Sequence, residues 1–142
     1  MQSVGRGRKG VGTKLHLALS QTKVQGTSLT GAQVVDTKAF NGLFAQSNWQ
    51  DIQYIVADKA YDCLSVKTLV VDSGRTTVIP RRSHALFPGV RDKIRYKTRH
   101  SIERFFAKLK ENKRLVARFD KLDVTFSSFI ALACLKILKL LC

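Results

Sequence analysis

The sequence predicts a mixed α/β domain, and three observations carry that prediction. Residues 14–20 and 27–34 read as a pair of strands, 54–57 is a short apolar run and 76–79 is a β-branched one. Between and after them lie stretches whose apolar residues recur at helical spacing. A length of 142 residues with 44% hydrophobic content fits one such domain. The order reads β-β-α-β-α-β-α-α, a mixed sheet with flanking helices.

Taken in order, residues 1–13 read as a loose basic arm, where Gly5, Gly7, Gly10 and Gly12 are interspersed with Arg6, Arg8 and Lys9. Residues 14–20 alternate polar and apolar, as a strand does, and a turn at Gln25 and Gly26 leads to a hairpin partner over 27–34. Asp36 is placed to cap a helix over 37–46, with Ala39, Phe40, Leu43 and Phe44 on one face. Residues 54–57 form a buried strand ending at Asp58. A helix over 64–71 is stopped by Gly74, and a strand over 76–79 is stopped by Pro80. Residues 84–89 read as a loop. The next helix starts between Asp92 and Lys97 and runs to about Lys113, burying Ile102, Phe105, Phe106 and Leu109. The body is thus 14–120, followed by an apolar helix in 121–142. Only 12 uncharged residues, 124–135, are continuous there, too few to span a bilayer, so a packed helix is expected and no membrane partner.

The charge names a partner class. The chain carries 25 Lys and Arg against 10 acids, a net charge of +15. Between Arg81 and Arg118 there are 13 basic and 3 acidic residues. Such a concentration fits a polyanion, most simply nucleic acid. The three cysteines, Cys63, Cys134 and Cys142, form no CxxC, and with His16, His84 and His100 give no zinc spacing. Free thiols in a reducing compartment are expected. The Gly- and Arg-rich N-terminus has no leader-like apolar stretch.

Within the basic region, Tyr96, Arg99, Glu103 and Lys110 are spaced by 3, 4 and 7 residues. At roughly 100° per residue they fall within roughly 60° of one another on a helix. Glu103 is one of only two glutamates in the chain. Asp58 stands at the carboxyl end of its strand, where active groups of α/β sheets gather. Paired carboxylates suit Mg²⁺, and two such ions can serve phosphodiester cleavage. Each residue also has a plainer reading: Asp58 as a turn or cap residue, Glu103 as a helix partner of Arg99 or Lys110.

The four residues of the stripe match, gap for gap, the Y-(2)-R-(3)-E-(6)-K signature, and the chain thereby resembles the DDE transposases of bacterial insertion sequences. Residues 57–62, Ala-Asp-Lys-Ala-Tyr-Asp, resemble that family's second-aspartate motif. The resemblance extends through 5–16, 29–36, 78–83 and from Arg104 onward, nearly the whole chain. It implies a ribonuclease-H-like fold that cuts DNA with two divalent ions, Mg²⁺ or Mn²⁺, and joins the freed 3′-hydroxyl to a target. Asp58 would be the second catalytic aspartate and Glu103 the catalytic glutamate, both holding metal. Tyr96, Arg99 and Lys110 would support Glu103 and hold phosphates; Lys59, Arg81 and Arg82 would join Arg99 and Lys110 in binding DNA.

The family's first aspartate lies on a first strand upstream of the segment matching 5–16, and Asp36 matches a different position. The resemblance therefore implies the C-terminal part of a transposase, inactive alone, whose partners are element-end and target DNA and an upstream segment or full-length transposase. A homo-oligomer in the bacterial cytoplasm, at the nucleoid, is the expected working form. The alternatives are a non-catalytic DNA-binding fragment or inhibitor, or a decayed remnant with loose packing.

Other motifs are weaker. Residues 5–10 spell GxGxxG with no preceding strand, and 7–14 approach a P-loop with the lysine displaced; both fail their structural context. Cys63 has no His placed locally to activate it. His16 reads as structural, His100 as a surface residue beside the stripe, and Trp49 as packing.

Overall fold

The computed structural model describes residues 2–8, 10–21, 23–84 and 92–139. It is a mixed α/β structure whose strands form two separate sheets. The first sheet joins β1 (Gly5–Gly7), β2 (Gly10–Leu19) and β3 (Val24–Gly31), all antiparallel. The second pairs β4 (Tyr54–Val56) and β5 (Thr76–Val78) in parallel.

Within the expected loose arm, residues 5–7 and 10–13 are strand. β1 folds back on the start of β2, pairing Gly5 with Gly12 and Gly7 with Gly10. Gly10 takes a φ of 108°, a left-handed value that glycine alone adopts without strain. The hairpin is held by backbone bonds with no apolar alternation to announce it. The next turn also moves. β2 ends at Leu19 and β3 starts at Val24, and between them Ser20 N donates to Lys23 O. Gly26 sits inside β3 instead, because a Cβ there would come within 2.1 Å of Ser47 Oγ. That glycine serves a close approach and not a turn.

Helix α1 (Asp36–Gln46) buries Ala39, Phe40 and Leu43, as its periodicity requires. Asp36 does not cap it; it is the first helical residue, and its carboxylate takes Lys14 Nζ at 3.0 Å. Phe44 stacks between Phe40 and Trp49, which confirms Trp49 as packing. Helix α2 (Leu64–Asp72) connects the parallel strands and buries Val66 and Val70 completely. It ends at Gly74, whose φ is 77°.

The single helix expected from the Asp92–Lys97 region to Lys113 is three: α3 (Lys93–Tyr96), α4 (Arg99–Lys110) and α5 (Lys113–Val116). Asp92 caps α3 by accepting from Arg95 N, and Asn112 caps α5 by accepting from Arg114 N. Between α3 and α4 the amides of Lys97, Thr98, His100 and Ser101 each donate three residues back. That 3₁₀ winding of three residues per turn rotates Tyr96 relative to the residues of α4. α6 (Asp123–Ile137) is the apolar C-terminal helix, and no described helix is long and apolar enough to cross a membrane. The far end of the loop expected over 84–89, and residues 140–142, lie outside the described residues.

Two cores follow from the two sheets. One packs Leu17 of β2 against Phe105 and Leu109 of α4 and Phe126, Ile130, Ala133 and Cys134 of α6. The other gathers Phe40, Ile55, Val66 and Val70 between α1, β4 and α2. α4 thus buries one face in the first core and leaves its polar stripe to look toward the end of β4.

Candidate active site

Asp58 follows β4 directly: Ala57 N donates to Val78 O at 3.4 Å, and the chain then turns into a 3₁₀ turn at Lys59–Tyr61. Asp58 Oδ1 accepts from Ala60 N at 2.9 Å and caps that turn. The plainer reading of Asp58 as a cap is therefore correct for one oxygen. The other, Oδ2, lies 3.9 Å from Arg99 Nη2. Arg99 Nη1 in turn meets Glu103 Oε1 at 2.7 Å. One guanidinium thus faces both carboxylates, one from a strand end and one from a helix. Their side chains are 42% and 47% exposed and Arg99 is 29% exposed, so solvent and ligands can enter. The i,i+4 pairing of Arg99 with Glu103, the plainer reading of Glu103, also holds.

The rest of the stripe is looser. The Arg99 guanidinium lies 6.0 Å from the Tyr96 ring centroid. Lys110 is exposed at the last position of α4, about 10 Å along the axis from Glu103 at the usual rise. It shares the face of Glu103 at that distance. His100, which the sequence left as a surface residue, is 71% exposed but binds Glu103 Oε2 through Nδ1 at 3.0 Å. Its i,i+3 spacing from Glu103 was the available signal.

Of the candidate DNA contacts, Lys59 is exposed and lines a shallow cavity of about 290 Å³ with Ala60, Arg82, Ser83 and His84. Arg81 Nε lies 3.7 Å from Asp62 Oδ2. Arg82 is more committed: Nε and Nη2 donate to the carbonyls of Lys59 and Ala60, at 3.3 and 3.0 Å, and its backbone N donates to Asp62 Oδ2 at 2.7 Å. The Asp62 side chain is almost fully buried and also takes the Lys67 ammonium. Hydrogen bonds from Lys67 and then from the Arg82 amide hold the Asp62 carboxyl below the usual carboxylate range.

One titratable group borders the site, and a second lies in the first sheet. Burial first, then the negative charges of Asp36 and Asp58, push the Tyr61 phenol up to about 12. Burial also lowers His16, whose Nε2 pairs with Thr30 Oγ1 at 2.8 Å, in keeping with a structural role. Asp36 is held by Lys14 at the start of α1. Cys63 and Cys134 are free thiols, and the Cys63 sulfur contacts Ser65 Oγ at 3.3 Å.

Over 92 residues the chain is 34% identical to a Brucella ovis protein described as "Putative transposase for insertion sequence element IS6501", a match covering 62% of this chain and 68% of that protein. The chain belongs to the insertion-sequence transposases. No family model and no solved structure matches it.

In this transposase the residues able to hold a metal near the bridge are Asp58 and Glu103. Among the described residues no three His, Cys, Asp or Glu side chains gather closely enough to form a metal site. Both are hard oxygen donors, the ligand type that Mg²⁺ takes one or two at a time while completing its shell with water and substrate phosphates, and the Arg99 guanidinium contacts both of them.

Proposed function

We propose that this transposase chain carries two of the three carboxylates of a DDE-type, ribonuclease-H-like active site that cleaves and joins DNA phosphodiesters. The observation that carries the reading is the convergence of Asp58 and Glu103 on one guanidinium, from a strand end and a helix distant in sequence. Mg²⁺ or Mn²⁺ bound there supplies charge neutralisation and an activated oxygen nucleophile.

The chain's own residues prepare that event. Asp58 and Glu103 would hold the ion. Arg99 gives up its carboxylate contacts and offers its planar fork to a phosphate oxygen, and Lys110 acts as a mobile point charge farther along the helix. Tyr96 packs beside the Arg99 guanidinium. Lys59 and Arg81 extend the positive surface around the turn.

The divided sheet supports a third contribution from outside residues 1–142. Among the described residues β4 is paired with β5 alone, and the antiparallel strands form a separate sheet. A strand laid along the open edge of β4 would satisfy unpaired backbone groups and bring a third carboxylate beside Asp58. The partner is then an upstream transposase segment or a complete transposase.

The test is a fusion of the chain to an aspartate-bearing upstream segment, assayed on element-end DNA with Mg²⁺ or Mn²⁺. Cleavage is expected, and Glu103→Gln should abolish it; a Gln variant that cuts as well as the parent defeats the reading. A second reading, a DNA-binding fragment that occupies ends or inhibits full-length transposase, is favoured by the surplus of 13 basic over 3 acidic residues between Arg81 and Arg118. Its signature is binding by the chain alone that weakens steeply with salt.

A further inference from the structure

We infer that Arg82 and Asp62 act as positioning residues that clasp the Asp58 turn and aim its free carboxylate oxygen at Arg99 and Glu103. This deepens the reading above and rests on it for its functional meaning, though the clasp itself is a matter of geometry.

The clasp is reciprocal. Arg82 gives two side-chain donors to consecutive carbonyls of the turn, Lys59 O and Ala60 O. The turn returns a carboxylate: Asp62 Oδ2 accepts the backbone N–H of Arg82. Asp62 Oδ1 binds Lys67 of α2, and Arg81 lies 3.7 Å from Oδ2. The carboxyl ends of β4 and β5 and the start of α2 are thereby tied at one point.

The consequence for Asp58 follows from its cap. Asp58 Oδ1 accepts from Ala60 N, so the carboxylate plane depends on where that N–H points. The peptide planes on either side of Ala60 carry the two carbonyls that Arg82 holds. Fixing those planes fixes the N–H, and fixing the N–H leaves Oδ2 turned toward Arg99. Of the three residues of the turn, Tyr61 packs against the second core beside Phe40, while Lys59 and Ala60 are exposed and their carbonyls are the ones the Arg82 fork holds. Two of the three guanidinium nitrogens of Arg82 are used in this way.

The experiment compares Arg82→Ala, Arg82→Lys and Asp62→Asn with the parent chain, by two readouts. The first is amide hydrogen exchange. Losing the Arg82 fork should speed exchange at Ala60 by about tenfold, while Val66 and Val70 in the core stay as protected as in the parent. Lys, which reaches one carbonyl, should fall between. The second is Mn²⁺ affinity, followed by the electron paramagnetic resonance of free ion. Arg82→Ala and Asp62→Asn should weaken it about fivefold or more, with Glu103→Gln as the reference loss.

Unchanged exchange at Ala60 in Arg82→Ala overturns the inference. So does exchange that rises equally at Val66 and Val70, since Arg82 would then act on the whole fold. If Asp62→Asn fails to fold, the two Arg82 variants decide. If Glu103→Gln binds Mn²⁺ as the parent does, the metal reading fails, and the exchange readout still judges the clasp.

Discussion

Arg99 and Arg118 each join groups that are distant in the chain, and their surroundings differ. Arg99 sits between two half-exposed carboxylates, one contact short and one long. Arg118 is 14% exposed and donates to Ser3 O, Thr13 Oγ1, Asp120 O and Asp123 Oδ1. Ser3 N closes the ring on Asp123 Oδ2 at 2.7 Å, and the Arg118 guanidinium lies 4.9 Å from the Phe126 ring. The Arg118 backbone is held at φ 43°, a left-handed conformation that costs a non-glycine residue roughly 1–2 kcal/mol. Surroundings that keep a residue strained must gain more from its side chain than the strain costs. Arg118 therefore fastens the N-terminal hairpin to α6. Arg99 fastens little, and its value lies in what can replace its partners. A nearly buried, multiply bonded arginine marks a joint of the fold, whereas an arginine shared by two part-exposed acids holds contacts that can be exchanged.

The largest expected effect tests that contrast directly. Arg118→Ala should lower unfolding free energy by about 2–4 kcal/mol, because it leaves Asp123 and the Ser3 carbonyl short of partners while retaining the strained backbone. Arg99→Ala should change it by about 0.5 kcal/mol or less, as exposed pairs do. Urea unfolding of both variants is the measurement. A larger loss for Arg99→Ala would break the comparison. Arg118→Gly sharpens it: relief of the left-handed strain should return about 1 kcal/mol relative to Ala, separating side chain from backbone.

The same contrast explains what could be read from sequence. Glu103 and Arg99 were visible because helical periodicity places them on one face, and Asp58 because it ends an apolar strand. That Arg99 would span both acids was not visible, since no local pattern links residues on different elements. The Arg82 clasp was hidden for another reason: its acceptors are backbone carbonyls, which every residue possesses. The role of Asp62 was hidden as well, because nothing in its spacing to Lys67 or Arg82 marks a pair. The hairpin at β1 has almost no side-chain signal, since two of its three rungs pair glycine with glycine and the third pairs Arg6 with Val11. Gly26 misled because a glycine needed for close packing against Ser47 looks the same in sequence as one needed for a turn.

A smaller effect appears in acid. Three carboxyls are held below their usual range: Asp62 by Lys67, Asp120 by the paired guanidinium of Arg114, and Asp123, where burial pushes upward but bonds from Ser3 and Arg118 prevail. A depressed folded value means the unfolded chain takes up the proton first. Their stabilisation is present above about pH 4, the ordinary unfolded value, and is lost as pH falls through the lowered folded values. Unfolding midpoints followed from pH 6 to pH 2 should fall below about pH 4. Asp123→Asn, at the Arg118 joint, should be less stable at pH 6 and show a shallower fall. An equally steep fall in that variant would place the acid sensitivity elsewhere.

The smallest effect reaches the site itself. Tyr61 is raised to about 12, mainly by burial and then by the charges of Asp36 and Asp58. A raised folded value means the stabilisation is complete below the unfolded value near 10 and disappears as pH rises through about 12. Of the three tyrosines, Tyr61 should therefore ionise late in an ultraviolet titration near 295 nm, and Tyr61→Phe should remove that late step. Asp58→Asn should move the step slightly downward and no more, because burial is the larger cause. A shift as large as the whole displacement would mean that the Asp58 charge acts on a less screened phenol. The turn that carries both residues would then be more enclosed than the 42% exposure of the Asp58 side chain implies, and Asp58 would belong with the buried joint of Arg118 and not with the open bridge of Arg99.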